Sequence, residues 1–464
     1  MSIEHTPHAA ALVELAIRRE RRGRFSEAIA LLNSALEIEP RNAVAWRHLG
    51  ALQKMAGRTE AAIACFRRSL AIEPDSANTL LNLGALYLVN HRAADAIEAY
   101  EEAAAVEPED SNSHYNLGLA LHEAGRTDDA LSAFAKACHL DPKHANGHFM
   151  QALLLLLQGR FDEGWRKYQW RWSLEAAGRR PTDLAEWQGE NFEGKSLVVV
   201  PEQGHGDTIW TSRFLPEVKQ RGGSVILQTR PETRVLLSKL PGVDIFIDIG
   251  DDLTDYDLLC CMMSLPGCLG ITVANTPPAQ LHASREGKER ARTYVDRWGG
   301  RFNVGIVWSG SLTNSRNRTR SAPLEYFVKL AQNPNVQLFS LLKGPLEYEL
   351  QETDLSALII ETPNNDFSEA AALIEVLDLV IMTDSAIAHV AGSLGKPIWN
   401  LIEYRPYWLY GIEGETTPWY PSMRLFRQRS SGEWTEVFAR VTRALAEAVE
   451  LHRDGYWPPT LVEV

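Results

Sequence analysis

Asp384, Ser385 and His389 stand at a spacing that could hold an anion. The run Leu379 to Met382 ahead of them is wholly apolar, which suits a strand buried on both faces of a parallel sheet. The run stops at Thr383-Asp384-Ser385, and a helix of small residues begins, ending near Gly392 and Gly395. Ser385 is placed to cap that helix, whose free N–H groups point back across the carboxyl end of the sheet. Open α/β sheets bind ligands there, and a helix N-terminus favours a phosphate. His389, four residues after Ser385, shares its face. A second apolar run, Pro397 to Ile402, follows at once, and the unit reads as half of a nucleotide site. As an ordinary strand-to-helix turn it would leave Asp384 a cap and His389 a packing residue. Upstream, Arg301 to Lys329 carries five basic residues against one acid, Glu325, a local +4 in a chain of net charge −13. A basic loop in an acidic protein suits a small anionic ligand. The overall acidity argues against a nucleic-acid partner.

The chain that must position these residues is 464 long, room for about three domains. It is 45% hydrophobic and 23% charged, an ordinary soluble composition. Its longest apolar run, Leu153 to Leu157, is far too short to span a bilayer. Met1 to His8 has neither the basic start nor the apolar core of a signal peptide. Cys65, Cys138, Cys260, Cys261 and Cys268 match no Cys-x-x-Cys pattern and are expected to be free thiols in a reducing cytoplasm.

The first 176 residues repeat with a period of 34. Gly23-Arg24, Gly57-Arg58, Gly125-Arg126 and Gly159-Arg160 fall on one lattice, with His91-Arg92 filling the missing step. Pro40, Pro74, Pro108 and Pro142 form a second, Leu49-Gly50, Leu83-Gly84 and Leu117-Gly118 a third, and Ala28, Ala62, Ala96 and Ala130 a fourth. The Leu-Gly pair lets two helices approach, the Gly-Arg step turns between them, and the proline ends the second helix. This is the tetratricopeptide pattern, in four full repeats over about 9–144 and a degenerate fifth to about Ala176. In the fifth, Trp165, Tyr168, Trp170 and Trp172 replace small residues, as expected of a capping junction. Stacked repeats form an α-superhelix with a concave groove, expected to hold an extended protein or peptide; the other occupants are its own neighbouring domain or a second copy of the chain, a homo-oligomer.

After Gly194 strands alternate with helical stretches, the pattern of parallel α/β structure. Strands are expected at Leu197 to Val200, Val225 to Gln228, Asp244 to Ile247 and Leu258 to Met262, with a helix from about Thr208 to Arg221. The Pro-rich stretch Thr276 to Gln280 reads as the crossing into a second lobe, giving lobes at 177–280 and 281–464. The second lobe has strands expected at Asn303 to Trp308 and about 336–342, 357–360, 379–382 and 397–402. A final helix, about Glu433 to Leu451, is expected to cross back and brace the first lobe.

Thr383-Asp384-Ser385, His389 and the following Gly-Lys-Pro strand resemble the donor-site signature of heptosyltransferase-like glycosyltransferases of the two-lobed GT-B fold. Gln203-Gly-His-Gly-Asp207 is similar to the glycine–aspartate loop of their acceptor lobe. Trp308-Ser-Gly-Ser311 with Arg320-Ser321 is similar to their diphosphate loop, and Ser340 to Pro345 to their nucleotide-contact strand end. Thr417 to Gln428 resembles the closing segment of the bacterial members fused to tetratricopeptide repeats. The architecture also resembles O-linked N-acetylglucosamine transferases and flagellin-modifying glycosyltransferases. Leu342 and Tyr404-Arg-Pro-Tyr-Trp408 depart from the family pattern, and both bear on which nucleotide and sugar are bound.

The resemblance implies a cytoplasmic, inverting glycosyltransferase that moves a sugar from a nucleotide-sugar donor to a protein held by the repeats. Asp207, at the end of the first strand, becomes the general base, with His205 in reserve; Asp207 can cap the next helix as well. Gln203, Gly204 and Gly206 complete the acceptor loop. Ser309, Gly310, Ser311 and Arg320 would grip the phosphates, with Lys343 beside them, and Asp384, Ser385 and His389 would complete the donor site. Arg316 and Arg318 read as solvated surface. No metal is expected: Asp255-Tyr-Asp257 matches the metal motif of another glycosyltransferase fold but opens a strand. The alternatives are a non-catalytic adaptor whose lobes only present the repeats, and a lipid-linked or polysaccharide acceptor.

Overall fold

A computed structural model describes residues 6–174, 183–279, 281–314, 316–351 and 357–458. The expected boundaries at 176–177 and at Gln280 lie outside the described residues. The chain divides into two compact units, Met1–Leu154 and Leu155–Val464, so the division falls inside the helix Ala145–Leu157.

The first unit is a stack of helix pairs: Thr6–Arg21 with Phe25–Ile38, Ala43–Met55 with Thr59–Leu70, Ala77–Val89 with Ala93–Val106, and Ser111–Glu123 with Thr127–Leu140. The lattices have direct physical causes. Gly23, Gly57 and Gly125 turn between helices at φ of 71°, 70° and 76°, a left-handed backbone that other residues disfavour. His91 takes the same turn at φ 57°. A methyl group on Gly50, Gly84 or Gly118 would sit within 2.8, 2.6 or 2.6 Å of the ring of Phe66, Tyr100 or Phe134, so each Leu-Gly pair seats an aromatic residue sixteen positions on. Tyr168 lies on that aromatic lattice, and so it continues the pattern where a replacement of small residues was expected.

The second unit takes in the end of the helix Ala145–Leu157, then the last helix of the fifth repeat, Phe161–Tyr168, and a 3-10 turn, Gln169–Ser173. Two parallel sheets follow. The first contains β1 (Ala185–Glu186), β2 (Ser196–Val200), β3 (Ser224–Thr229), β4 (Ile245–Asp248) and β5 (Leu258–Cys261), in the order β1-β5-β2-β3-β4. The second contains β6 (Phe302–Val307), β7 (Val336–Ser340), β8 (Ile359–Glu361), β9 (Leu379–Thr383), β10 (Ile398–Ile402) and β11 (Met423–Arg427), in the order β11-β10-β9-β6-β7-β8. Strands β2, β6, β9 and β10 are buried along nearly their whole length, so the side chains on both faces lie inside the protein. In each sheet the chain order reverses beside a central strand, between β2 and β5 and between β6 and β9, which is where such sheets open a crevice.

Several expectations change. The helix expected from Thr208 begins at His205, because Asp207 accepts the Gly204 N–H (3.1 Å) and starts it early. It breaks into His205–Thr211, a 3-10 turn and Leu215–Lys219. β1 is two residues long and β11 carries Arg424 and Arg427; neither has an apolar run to announce it. The final helix, Thr435–Arg453, packs on the second sheet where a return to the first lobe was expected. Its Phe438 lies against Tyr326 and Phe327, and His452 meets Phe302. Asp257 takes the Ser196 N–H and hydroxyl (2.8 and 2.7 Å) at the amino ends of β2 and β5, the end away from the crevice. No helix among the described residues is long and apolar enough to cross a membrane.

Candidate functional site

The helices that follow β2 and β9, His205–Thr211 and Ala386–Ser393, pack on one another and bring the two crevices together. Gly206 makes this possible: a methyl there would stand 2.7 Å from His389 Cδ2 and 3.4 Å from Ala386 Cα. His389 is therefore buried beneath the Asp207 loop, its Nδ1 3.0 Å from the Tyr420 hydroxyl. Burial pushes its pKa down to about 4, so the imidazole is neutral near pH 7 and carries no charge toward a phosphate.

Asp207 lies in the first turn of the helix after β2, partly accessible yet ringed by protein. Burial raises its pKa to about 6, against the pull of hydrogen bonds from the Tyr407 hydroxyl to Oδ1 (3.2 Å) and the Gly204 N–H to Oδ2. The cap and the candidate base are one side chain, and each oxygen keeps a lone pair. Asp384 faces it closely enough for its charge to act on Asp207. Tyr410 donates to Asp384 Oδ1 (2.7 Å), and Arg320 Nη1 lies 3.6 Å from Oδ2. The two tyrosines sit three residues apart, so one short segment holds both carboxylates.

Arg320 is placed by a glycine: a methyl on Gly310 would meet its Nη2 at 2.6 Å. Its Nε, the Ser385 hydroxyl and the Thr383 hydroxyl are buried without a hydrogen-bond partner in the protein. Ser385 thus heads its helix without capping it through the side chain, contrary to expectation, and its hydroxyl is left for something else. Ser309 and Gly310 correct the reading in the opposite sense. Asn317 donates to Ser309 Oγ (3.0 Å) and accepts the Gly310 N–H (3.0 Å), and Ser321 holds the same hydroxyl (2.8 Å). These groups shape the loop from within. Ser311 is exposed and pairs with Thr313 (2.8 Å). Lys343 pairs with Glu347 (2.9 Å), and His205 packs on Phe367 with its pKa lowered by burial. Gln203 donates to the Tyr168 hydroxyl (2.7 Å).

Sequence reasoning missed Tyr407, Tyr410, Asn317 and Arg213. The tyrosines lie in or beside the segment that departs from the family pattern, which was the available signal. Arg213 is buried in the first lobe, donates to the Trp419 carbonyl (2.7 Å) and stacks 4.6 Å over Tyr420 of the second. Arg316, expected at the surface, donates to Glu403 (2.9 Å) and to the Arg405 carbonyl, tying the basic loop to the segment before Tyr407. Beside that loop, a cavity of about 580 Å³ is lined by Trp308, Asn317, Leu324, Leu346 and Glu349. Among the described residues no group of three or more His, Cys, Asp or Glu is arranged to hold a metal ion.

Comparison with known proteins finds matches in both units. Residues 21–78 and 81–145 match models of the tetratricopeptide repeat, and residues 348–422 match glycosyltransferase family 9 (heptosyltransferase). Protein FlbA of Caulobacter vibrioides is 24% identical over 316 residues, covering 61% of this chain and 52% of that protein. The chain thus spans about half the length of this curated relative. Among solved structures, MamA of Desulfovibrio magneticus is 23% identical over 35% of this chain and 90% of its own, with a TM-score of 0.32. YrrB, a tetratricopeptide protein, is 17% identical over 38% and 94%, with a TM-score of 0.33. The chain joins tetratricopeptide repeats to a glycosyltransferase family 9 domain. That pairing supports glycosyltransferase activity in the second unit and protein interaction in the first.

Proposed function

We propose that this protein is an inverting GT-B glycosyltransferase that moves a sugar from a nucleotide-sugar donor to a protein acceptor held by the repeats. The observation that carries the reading is the meeting of Asp207 with Asp384 and Arg320 at one cleft, beside buried hydroxyls that lack partners. In the reaction, the acceptor hydroxyl oxygen attacks the anomeric carbon as the bond to the diphosphate breaks. The acceptor proton passes to Asp207, and the nucleoside diphosphate leaves with the bonding electrons. A base titrating near 6 is better matched to neutral pH than an ordinary aspartate. Arg320 and the N-terminus of Ala386–Ser393 neutralise the leaving diphosphate without a metal; the helix contributes about 0.3–2 kcal/mol. Asp384 and the Ser385 hydroxyl orient the sugar, and the cavity beside Trp308 takes the nucleoside. The setting is the cytoplasm, and an acceptor of the flagellin kind fits the resemblance.

Two experiments test this. A thermal-shift screen with UDP, GDP, ADP and CMP should single out one nucleotide that stabilises the protein, and Arg320→Ala should reduce the shift at equal nucleotide concentration. Stabilisation by none of them would favour the adaptor. Deleting residues 1–144 should leave donor binding intact while modification of a protein acceptor falls sharply; undiminished modification would remove the groove from acceptor recognition.

A further inference from the structure

Arg171 stands where every other repeat buries a small residue. Counting back by 34, the same position holds Ala137, Ala103, Ser69 and Ala35, each 0% exposed. Arg171 is 4% exposed, and a guanidinium this deep must find partners for its five N–H groups. It does. Nε and Nη2 form a fork on Glu202, each at 3.0 Å, and Nη2 also reaches Ser264 Oγ at 2.7 Å. Nη1 donates to the Tyr168 carbonyl (3.3 Å) and to Gln169 Oε1 (3.2 Å).

The partners form a pattern. Glu202 follows β2, and Met263 and Ser264 follow β5, its neighbour in the sheet. Glu202 also accepts the Met263 N–H (3.0 Å), so the fork bridges both strand ends at the crevice of the first sheet. The next residue, Gln203, is held by the Tyr168 hydroxyl, and the next N–H, that of Gly204, is on Asp207 itself. Consecutive residues leading to Asp207 are therefore anchored, two of them from the fifth repeat. Stability alone does not account for this. A buried ion pair is on average no more stabilising than apolar filling, whereas a bidentate fork fixes distance and angle.

We propose that Arg171 is a positioning residue of the transferase: it holds the Glu202–Asp207 loop where Asp207 meets the acceptor hydroxyl. The fifth repeat is then a working part of the site. This rests on reading Asp207 as the base.

The test uses the full chain with Arg171→Met, which keeps the stem, Arg171→Met/Glu202→Gln, which leaves no unpaired buried charge, and Asp207→Asn. Two quantities are read: amide hydrogen exchange over 202–207 and 262–264, with 435–453 as internal reference, and release of nucleoside diphosphate from the sugar conjugate of whichever of UDP, GDP or ADP stabilises the protein in the thermal-shift screen. In the double variant, exchange should quicken in the first two segments and stay unchanged in the third. Turnover should fall about 10²-fold with donor KM retained, the scale of a misplaced catalytic group. A purely structural Arg171 predicts a melting temperature restored by the second substitution, with exchange, turnover and donor KM as in the wild type. That outcome, beside an inactive Asp207→Asn, overturns the proposal alone. A fully active Asp207→Asn overturns the base assignment instead, while the exchange data still report whether Arg171 holds the loop.

Discussion

The repeat array and the cleft of the second unit solve the same problem, holding side chains in place, by opposite means. In the array one local device recurs: Gly50, Gly84 and Gly118 each seat the aromatic residue sixteen positions on, and a left-handed residue turns each pair. In the cleft no device recurs. Asp207 is held by Tyr407, 200 residues away, and Arg213 reaches the Trp419 carbonyl across 206. A change in the array should stay within a repeat and its neighbours. A change in the cleft should reach the chemistry through partners from both lobes.

The largest expected effect tests the cleft directly. Asp207→Asn should lower transfer about 10²–10⁴-fold with folding and nucleotide binding near normal, read from turnover and nucleotide titration. Unchanged turnover would pass the role to His205 or to the substrate itself. Next, Arg320→Ala should weaken nucleoside diphosphate binding by about 1.5–3 kcal/mol by calorimetry, the scale of a charge-assisted hydrogen bond. Equal affinity would detach the basic loop from the phosphates.

A subtler effect concerns pH. Asp207 must be ionised to act, so turnover should rise with pH through about 6. The Tyr407 hydroxyl favours the carboxylate, so Tyr407→Phe should raise that pKa and move the acid limb upward by about one pH unit. An unmoved limb would mean that the hydrogen bond orients the carboxylate without tuning it. The smallest effect belongs to the array. His91→Gly should relieve a strained turn and raise stability by less than ~1 kcal/mol in thermal unfolding, with turnover untouched. Altered turnover there would show that a change in the array reaches the chemistry.

The array was legible because its contacts are local, so period alone carries them. His91 was legible for the same reason: its place on the glycine lattice demanded the backbone it adopts. Arg171 was missed, although an arginine on a lattice of small residues is itself a signal, because its partners Glu202 and Ser264 lie far along the chain. The loops bearing Asp207, Arg320 and Asp384 could be found because each follows an apolar strand. Their inner wiring could not. Ser385 looks like a cap and Ser309 like a phosphate ligand, yet Asn317 and Ser321 take up Ser309 while the Ser385 hydroxyl stays unpartnered.

By itself the sequence determined the repeat register, the succession of buried strands, and the strand ends that carry chemistry, because periodicity and burial are written in neighbouring residues. Only the tertiary structure decided which tyrosine holds which carboxylate, that His389 is buried and neutral beneath Gly206, and that the last helix stays on its own sheet. Those outcomes depend on how two sheets dock, and docking is set by the shape and desolvation of surfaces assembled from distant segments.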